Sequence, residues 1–365
     1  MTIKNKIDNS NYFKKILVLI CDAIFLLIRI LKNREFNSGG KTLIISIHKI
    51  GDTVFTIPSI KALIKNHQNM IVIVCFPHSE VIYKRELESV EYLIVSPDDF
   101  KFQGRIASKG IRKKIKLLKP DFIIDLKGSI VSASLIFDVS GSRIFGINEI
   151  YFRKIYDRFT LVRTTPHQVD LYFDAVKSFL PNIQNTFMGF PIKKSNDGII
   201  YIHPLAGWRS KEWRLNNFLS LYKLLIKNND VCLIIPEDSL RKDVVTDLIT
   251  NNYNILISRD IEHFIKLLEK CKLFISNDSG PLQVAAMVGI PTVTIYGPTN
   301  PSFHVPQGTS HLFIRRELDC SPLISKVCYA DAGESCLHKE CLEGLKVNDV
   351  YDKIISNMSK YIYGK

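Results

Sequence analysis

Three short segments bring together residue types that can do chemistry. In the first, an apolar run ending at Ile275-Ser276 passes into Asn277, Asp278, Ser279 and Gly280, and Pro281 stands where the first turn of a helix accepts it. A helix that starts there offers free backbone N–H groups and the positive end of its dipole to an anion, and Gly280 lets a phosphate approach the backbone. The same residues equally suit an ordinary strand-to-helix turn. In the second, His203 to Arg214, the cations Arg209, Lys211 and Arg214 crowd together with Trp208 and Trp213, the chain's two tryptophans. That set suits a diphosphate with a stacked base or sugar; the competing reading is a solvated surface loop. In the third, His48-Lys49-Ile50-Gly51-Asp52, an aspartate follows an apolar strand, where it suits a general base and equally suits a helix N-cap. Cys320, Cys328, Cys336 and Cys341, with His338, invite a zinc site, but their intervals lack the tight C-x2-C knuckle, so free thiols or a local pair are expected and no metal. No Walker A, GxGxxG, HExxH, GxSxG or DxD pattern is present.

These segments need elements to hold them. From Thr42 onward, short β-branched apolar runs alternate with helical spacings: Thr42 to Ile47, Met70 to Phe76, Tyr92 to Val95 and Phe122 to Leu126 read as strands, and Gly51-Asp52 as a turn before a helix. A second series begins at Gly198 and continues through Val231 to Ile235, Asn254 to Ile257, Leu273 to Ser276 and Thr292 to Tyr296. Helical patterns fall between, at Leu215 to Ile226, Ser239 to Thr250, Asp260 to Cys271 and Pro281 to Val288. Such alternation predicts parallel sheets covered on both faces, in two successive α/β domains, 41–182 and 183–365, with the ligand expected in a cleft between them.

Residues 1–40 form a separate extension. Ile16 to Leu31 is apolar but too short to span a bilayer, and Lys15, Asp22 and Arg29, spaced seven apart, make one polar stripe on a helix. Through Lys41 the segment holds eight Lys/Arg and three Asp/Glu, so an interfacial helix on an anionic membrane is expected; packing on the protein's own surface is the alternative. Over all 365 residues, 46% apolar and 23% charged composition excludes disordered, collagen-like and polytopic membrane chains. The net charge of +13 favours acidic partners. Nucleic acid is the weakest of these, because the basic residues are dispersed and no recognition module is present. Buried-looking cysteines such as Cys75 point to a reducing cytoplasm.

In this order, the segments Ile50 to Pro58, Asp121 to Ser129, Arg143 to Gly146, His167 to Tyr172, His203 to Trp213 and Asn277 to Pro298 resemble the heptosyltransferases of glycosyltransferase family nine, with Cys320-Ser-Pro322 and His338 to Leu342 similar to that family's C-terminal cysteine region. The resemblance implies a GT-B fold: two doubly wound Rossmann-like domains facing across a cleft, with the acceptor on the first and the nucleotide-sugar donor on the second. It implies an inverting transferase with no metal and no cofactor, moving a heptose from ADP-heptose to a phosphorylated glycolipid of the lipopolysaccharide core at the cytoplasmic face of the inner membrane. Asp52 takes the place of the catalytic base; Lys211, Asp278, Ser279, Gly280, Pro281, Gln283, Trp208 and Arg209 fall to the donor; His48, Lys49 and Lys127 to the acceptor. Gln283 stands where that family often has histidine, and Leu205 where it has glycine. These departures leave room for another nucleotide-sugar, and a membrane-attached donor-binding module without catalysis is the alternative from a different class.

Overall fold

The computed structural model describes residues 36–102, 104–148, 153–193, 197–237, 248, 252–330 and 333–358, and residues 16–31 apart from 17, 18, 21 and 29. Two compact units divide the chain. The first takes Met1–Lys49, Phe55–Arg163 and Val169–Asn185; the second takes Ile50–Val54, Thr164–Gln168 and Thr186–Lys365. The chain passes for the last time from the first unit to the second after Asn185.

The first sheet comprises β1 (Lys41–Ile45), β2 (Met70–Cys75), β3 (Val90–Ile94), β6 (Phe122–Asp125), β7 (Arg143–Asn148) and β8 (Arg158–Leu161); β4 (Phe100–Lys101) and β5 (Ile106–Ala107) form a small hairpin. Its strands are all parallel, in the order β3-β2-β1-β6-β7-β8. The second sheet, β9 (Ile199–His203), β10 (Val231–Pro236), β11 (Ile255–Ser258), β12 (Cys271–Asn277), β13 (Thr292–Tyr296) and β14 (His311–Arg315), repeats the plan as β11-β10-β9-β12-β13-β14. In each, the chain runs outward one way, returns to the middle, and runs outward the other way. The loops after β1 and β6 therefore part at one switch point, and those after β9 and β12 at the other, which is where such sheets bind ligands. Side chains that are apolar on both faces make this possible: Leu43, Ile44 and Ile45 of β1 and Ile200 and Ile202 of β9 are buried.

Two departures from the sequence reading have local causes. β7, β8 and β14 were not read as strands from apolar runs, since Arg143, Gly146 and Asn148 interrupt β7 and charged residues mark the edge strands β8 and β14. Gly51-Asp52 is not a turn; the helix begins at Ile50 and runs to Asn66, with Lys49 as its N-cap. Most of the expected helix Ser239 to Thr250 lies outside the described residues. In the N-terminal extension residues 22–28 are helical, and Phe25 enters the first unit's core, stacked on Phe137 with ring centroids 4.2 Å apart. Asp22, of the expected polar stripe, is half-buried on the Phe25 side; Lys15 and Arg29 lie outside the described residues.

Candidate functional site

At the switch point of the second sheet, β12 ends in Asn277, a buried amide that fastens the loop of the neighbouring strand. Its Oδ1 accepts from the backbone N–H of Trp213 at 2.9 Å, and its Nδ2 donates to the carbonyl of Pro204 at 2.7 Å. Trp213 is fully buried and donates Nε1–H to the carbonyl of Leu345 at 3.0 Å, so it is a structural anchor and not a stacking platform. Of the two tryptophans only Trp208 is open to solvent, and the Lys211 ammonium lies 4.7 Å from its ring centroid. Leu205 packs against the core of this unit, and Arg209 is exposed.

Lys211 and Asp278 are joined. The ammonium donates to Asp278 Oδ2 at 2.7 Å, and the Thr299 hydroxyl donates to the same oxygen at 2.9 Å. Burial pushes the Asp278 carboxyl up, but the Lys211 charge, then that of His304, and the two hydrogen bonds outweigh it and hold the pKa below the ordinary carboxylate value. The next helix, Gly280–Met287, starts just beyond, with Pro281 in its first turn. Its N-cap Ser279 makes no side-chain cap, and the buried Ser279 Oγ has no partner among the described residues. The leading N–H groups of the helix, the Ser279 hydroxyl and the Lys211 ammonium are thus grouped where an anion would meet them. Gln283 is turned to structure: its Nε2 donates to the carbonyl of His304 at 2.7 Å. Burial lowers the His304 imidazole to about 4; Asp278 pulls it up, and Lys326 and Lys211 push it further down.

The same unit includes Ile50–Val54, the opening turn of the helix that carries Asp52. A Cβ on Gly51 would stand 3.3 Å from the Cα of Gly280, and a Cβ on Gly280 would stand 3.3 Å from the Gly51 nitrogen. The two backbones touch because neither residue has a side chain. Asp52 is partly exposed, and its carboxylate makes no hydrogen bond or ion pair among the described residues. It is not the N-cap: it sits inside the first turn, where the helix dipole favours the anion.

In the first unit, β6 ends in the buried Asp125, which accepts from the N–H groups of Lys127 at 2.8 Å and Gly128 at 3.0 Å and from the Tyr156 hydroxyl at 2.6 Å. Burial raises its pKa against the pull of those bonds. Gly128 has φ +60°, and a Cβ there would meet the Ile147 carbonyl oxygen at 2.5 Å, so glycine is required for the turn. This turn presents Lys127, half-buried and without a carboxylate partner among the described residues. His48, after β1, is buried edge-on against Tyr172 at 5.2 Å. Burial, and next the Lys127 charge, holds its imidazole well below the usual histidine value, against the pull of the Leu126 backbone. The ring of His78 donates from Nε2 to the His48 carbonyl at 2.9 Å, and Lys49 is exposed.

The family model for glycosyltransferase family 9 (heptosyltransferase) matches residues 110–332, more than half of the chain. The chain belongs to glycosyltransferase family 9. Lipooligosaccharide heptosyltransferase 2 of Campylobacter jejuni is 26% identical over 171 residues, 45% of this chain and 52% of that protein, so the chain spans about half the length of this relative. A family 9 glycosyl transferase from Veillonella parvula superposes with a TM-score of 0.69 at 17% identity, covering 89% of this chain and 99% of that one. Heptosyltransferase WaaC of E. coli, solved with ADP, gives 0.68 at 16% identity, covering 87% and 99%. These likenesses establish the fold, the GT-B pair of Rossmann-like domains.

Within this family 9 chain the structure brings Lys211 together with Asp278, and Gly51 with Gly280, and it groups His48 with Lys127 in the first unit. It leaves Arg209 and Lys49 on exposed surface. Thr299, His304, Tyr156 and His78 went unnoticed as supporting residues. For His78 a signal existed, since it lies three positions after β2, at the same end of the sheet as His48. The cysteines Cys320, Cys328, Cys336 and Cys341 are free and line an apolar pocket with Ser210 and Pro298. Burial, followed by the neighbouring thiols, pushes Cys341 up to about 11. Among the described residues no group of His, Cys, Asp or Glu has a geometry that would hold a metal ion.

Proposed function

We propose that this chain is an inverting glycosyltransferase that moves a heptose from ADP-heptose to a phosphorylated glycolipid acceptor of the lipopolysaccharide core, on the cytoplasmic side of the inner membrane and without a metal ion. The observation that carries it is the contact of Gly51 with Gly280, which sets Asp52, without a partner among the described residues, beside the turn that holds Lys211 and Asp278. In this reading Asp52 takes the proton from the acceptor hydroxyl as its oxygen attacks the anomeric carbon from the side opposite the diphosphate. The N–H groups opening the helix Gly280–Met287, the Ser279 hydroxyl and Lys211 receive the charge that develops on the departing diphosphate. Trp208 supplies an exposed aromatic face for the donor, and Lys127, steadied by Asp125, a cation for the acceptor's phosphate. The heptose is supported by the name of the C. jejuni relative, and the adenine nucleotide by the ADP of the E. coli structure.

A second reading, the same chemistry with another nucleotide-sugar, draws on Gln283, whose amide is committed to the His304 carbonyl. One experiment separates them: purified protein is mixed with a panel of ADP-, UDP- and GDP-sugars, following thermal stabilisation and, with a heptose-deficient core acceptor, product formation and its anomeric configuration. Stabilisation by ADP-heptose and a product of inverted configuration are expected. Selective response to a UDP- or GDP-sugar would favour the second reading, and donor binding without product on any acceptor would favour a non-catalytic module.

A further inference from the structure

The N-terminal helix is built inside out. Phe25 lies 6% exposed in the core and Ile28 packs on the same cluster, whereas the opposite side of the helix is apolar and open: Leu19 is 57% exposed, Ile20 51%, Leu27 59% and Leu31 75%. A water-facing helix carries its polar residues outward; here the half-buried Asp22 sits on the inner side. An apolar face of this kind on a folded unit marks a contact surface, and no helix of the described residues is long and apolar enough to cross a membrane.

What surrounds this face identifies its occupant. Phe25 stacks on Phe137, and the guanidinium of Arg112 lies 5.0 Å from the centroid of that same Phe137 ring. Arg112 and Lys116 are both tied to Asp138, so the helix Lys109–Leu117 lies next to the N-terminal helix. With Ile111 and Ile115 buried, Lys109, Lys113 and Leu117 point outward from it, and Leu117 is 70% exposed. Residues 100–119 contain eight Lys/Arg and no Asp/Glu. A row of exposed leucines and isoleucines flanked by the outward lysines of a basic helix is complementary to one surface: lipid headgroups bearing negative charge over an acyl interior.

We infer that Leu19, Ile20, Leu27 and Leu31 and the helix Lys109–Leu117 form a single docking face of the first unit, which lies on an anionic bilayer with the leucines at the acyl boundary and the lysines among the headgroups. This concerns where the protein sits and holds whichever sugar it transfers. The test uses the full-length protein and vesicles free of any glycolipid or donor, so its outcome is independent of the transferase reading. Co-flotation is expected with vesicles of phosphatidylcholine mixed with phosphatidylglycerol, and much less with phosphatidylcholine alone. Lys109→Glu with Lys113→Glu should weaken binding by about twentyfold or more, at roughly fivefold per lysine near the surface, and added salt should mimic that loss. Leu27→Asp with Leu31→Asp should abolish flotation even at low salt. These side chains are exposed, so the melting temperature and ADP-induced stabilisation should stay those of the wild type. Failure of the wild type to float with anionic vesicles, or flotation unchanged in the Leu27/Leu31 variant, overturns the inference. So does a dimer in gel filtration that the Leu27/Leu31 variant converts to monomer without any vesicle binding, which would give the face to a second copy of the chain.

Discussion

Lys211 has two separable tasks, and a pair of substitutions distinguishes them. Its ammonium is 2.7 Å from Asp278 Oδ2, with the two side chains 16% and 8% exposed, so in the free protein it neutralises a nearly buried carboxylate. Removing one partner of a buried pair costs about 3–5 kcal/mol. Because the Thr299 hydroxyl still bonds Asp278 and Lys211 is partly solvated, we expect a smaller loss than that, about 2–3 kcal/mol, for Lys211→Met. If Lys211 also meets the donor diphosphate, losing that charge-assisted bond should weaken ADP binding by about 1.5–3 kcal/mol, roughly 10- to 150-fold. The double variant Lys211→Met with Asp278→Asn removes the stranded charge. Urea unfolding should then recover most of the lost stability, while calorimetry with ADP should still show the weakened affinity. Wild-type ADP affinity in the double variant would refute the phosphate contact and leave Lys211 as the counter-charge of Asp278 alone.

Asp52→Asn should leave folding and donor affinity nearly intact, since Asp52 is not the cap of its helix and only a dipole contribution of about 0.3–1 kcal/mol is at stake. Turnover should fall by about a hundredfold or more; a rate within a few-fold of wild type at saturating acceptor would move the base elsewhere. The pH dependence of stability has a definite sign. Burial holds His203 and His311 at about 4 in the folded chain, below the unfolded value of about 6.5, so between those limits the unfolded chain binds more protons. Stability should be full above about pH 6.5 and fall on acidification by up to about 1.4 kcal/mol per pH unit for each histidine. A urea midpoint that stays flat between neutral pH and about pH 5 would contradict this.

Strands whose runs are apolar throughout were legible in the sequence. Thr292–Tyr296 is read to the residue, because β-branched side chains buried on both faces leave no alternation to misread. β7 was not, since its apolar Ile144 and Ile147 are scattered among Arg143, Gly146 and Asn148. The helix start at Asp278-Ser279-Gly280-Pro281 was plain from its punctuation, whereas Gly51 misled. Glycine reads as a breaker, yet here it is helical because the Gly280 backbone takes the space of its side chain. Trp213 shows the same limit: a tryptophan in a basic loop suggests stacking, and only the distant Asn277 and Leu345 reveal that it is held inside. The pairing of Lys211 with Asp278 spans 67 positions, a separation that no local pattern encodes.

Asn277 has a consequence for how the family 9 scaffold can vary. By holding the Pro204 carbonyl and the Trp213 amide with one side chain, it cinches both ends of the intervening loop to the sheet. The residues between, 205–212, then form a closed ring whose ends are fixed independently of what fills it. At its exposed positions, 207–209, such a ring can exchange side chains with little effect on the cooperative unfolding of the domain beneath it, whereas Leu205 and Lys211 tie it to the core and to Asp278. The unit thereby separates the inheritance of its architecture from that of its preference. Trp208 and Arg209 belong to the replaceable part, and Asn277 to the part that must stay.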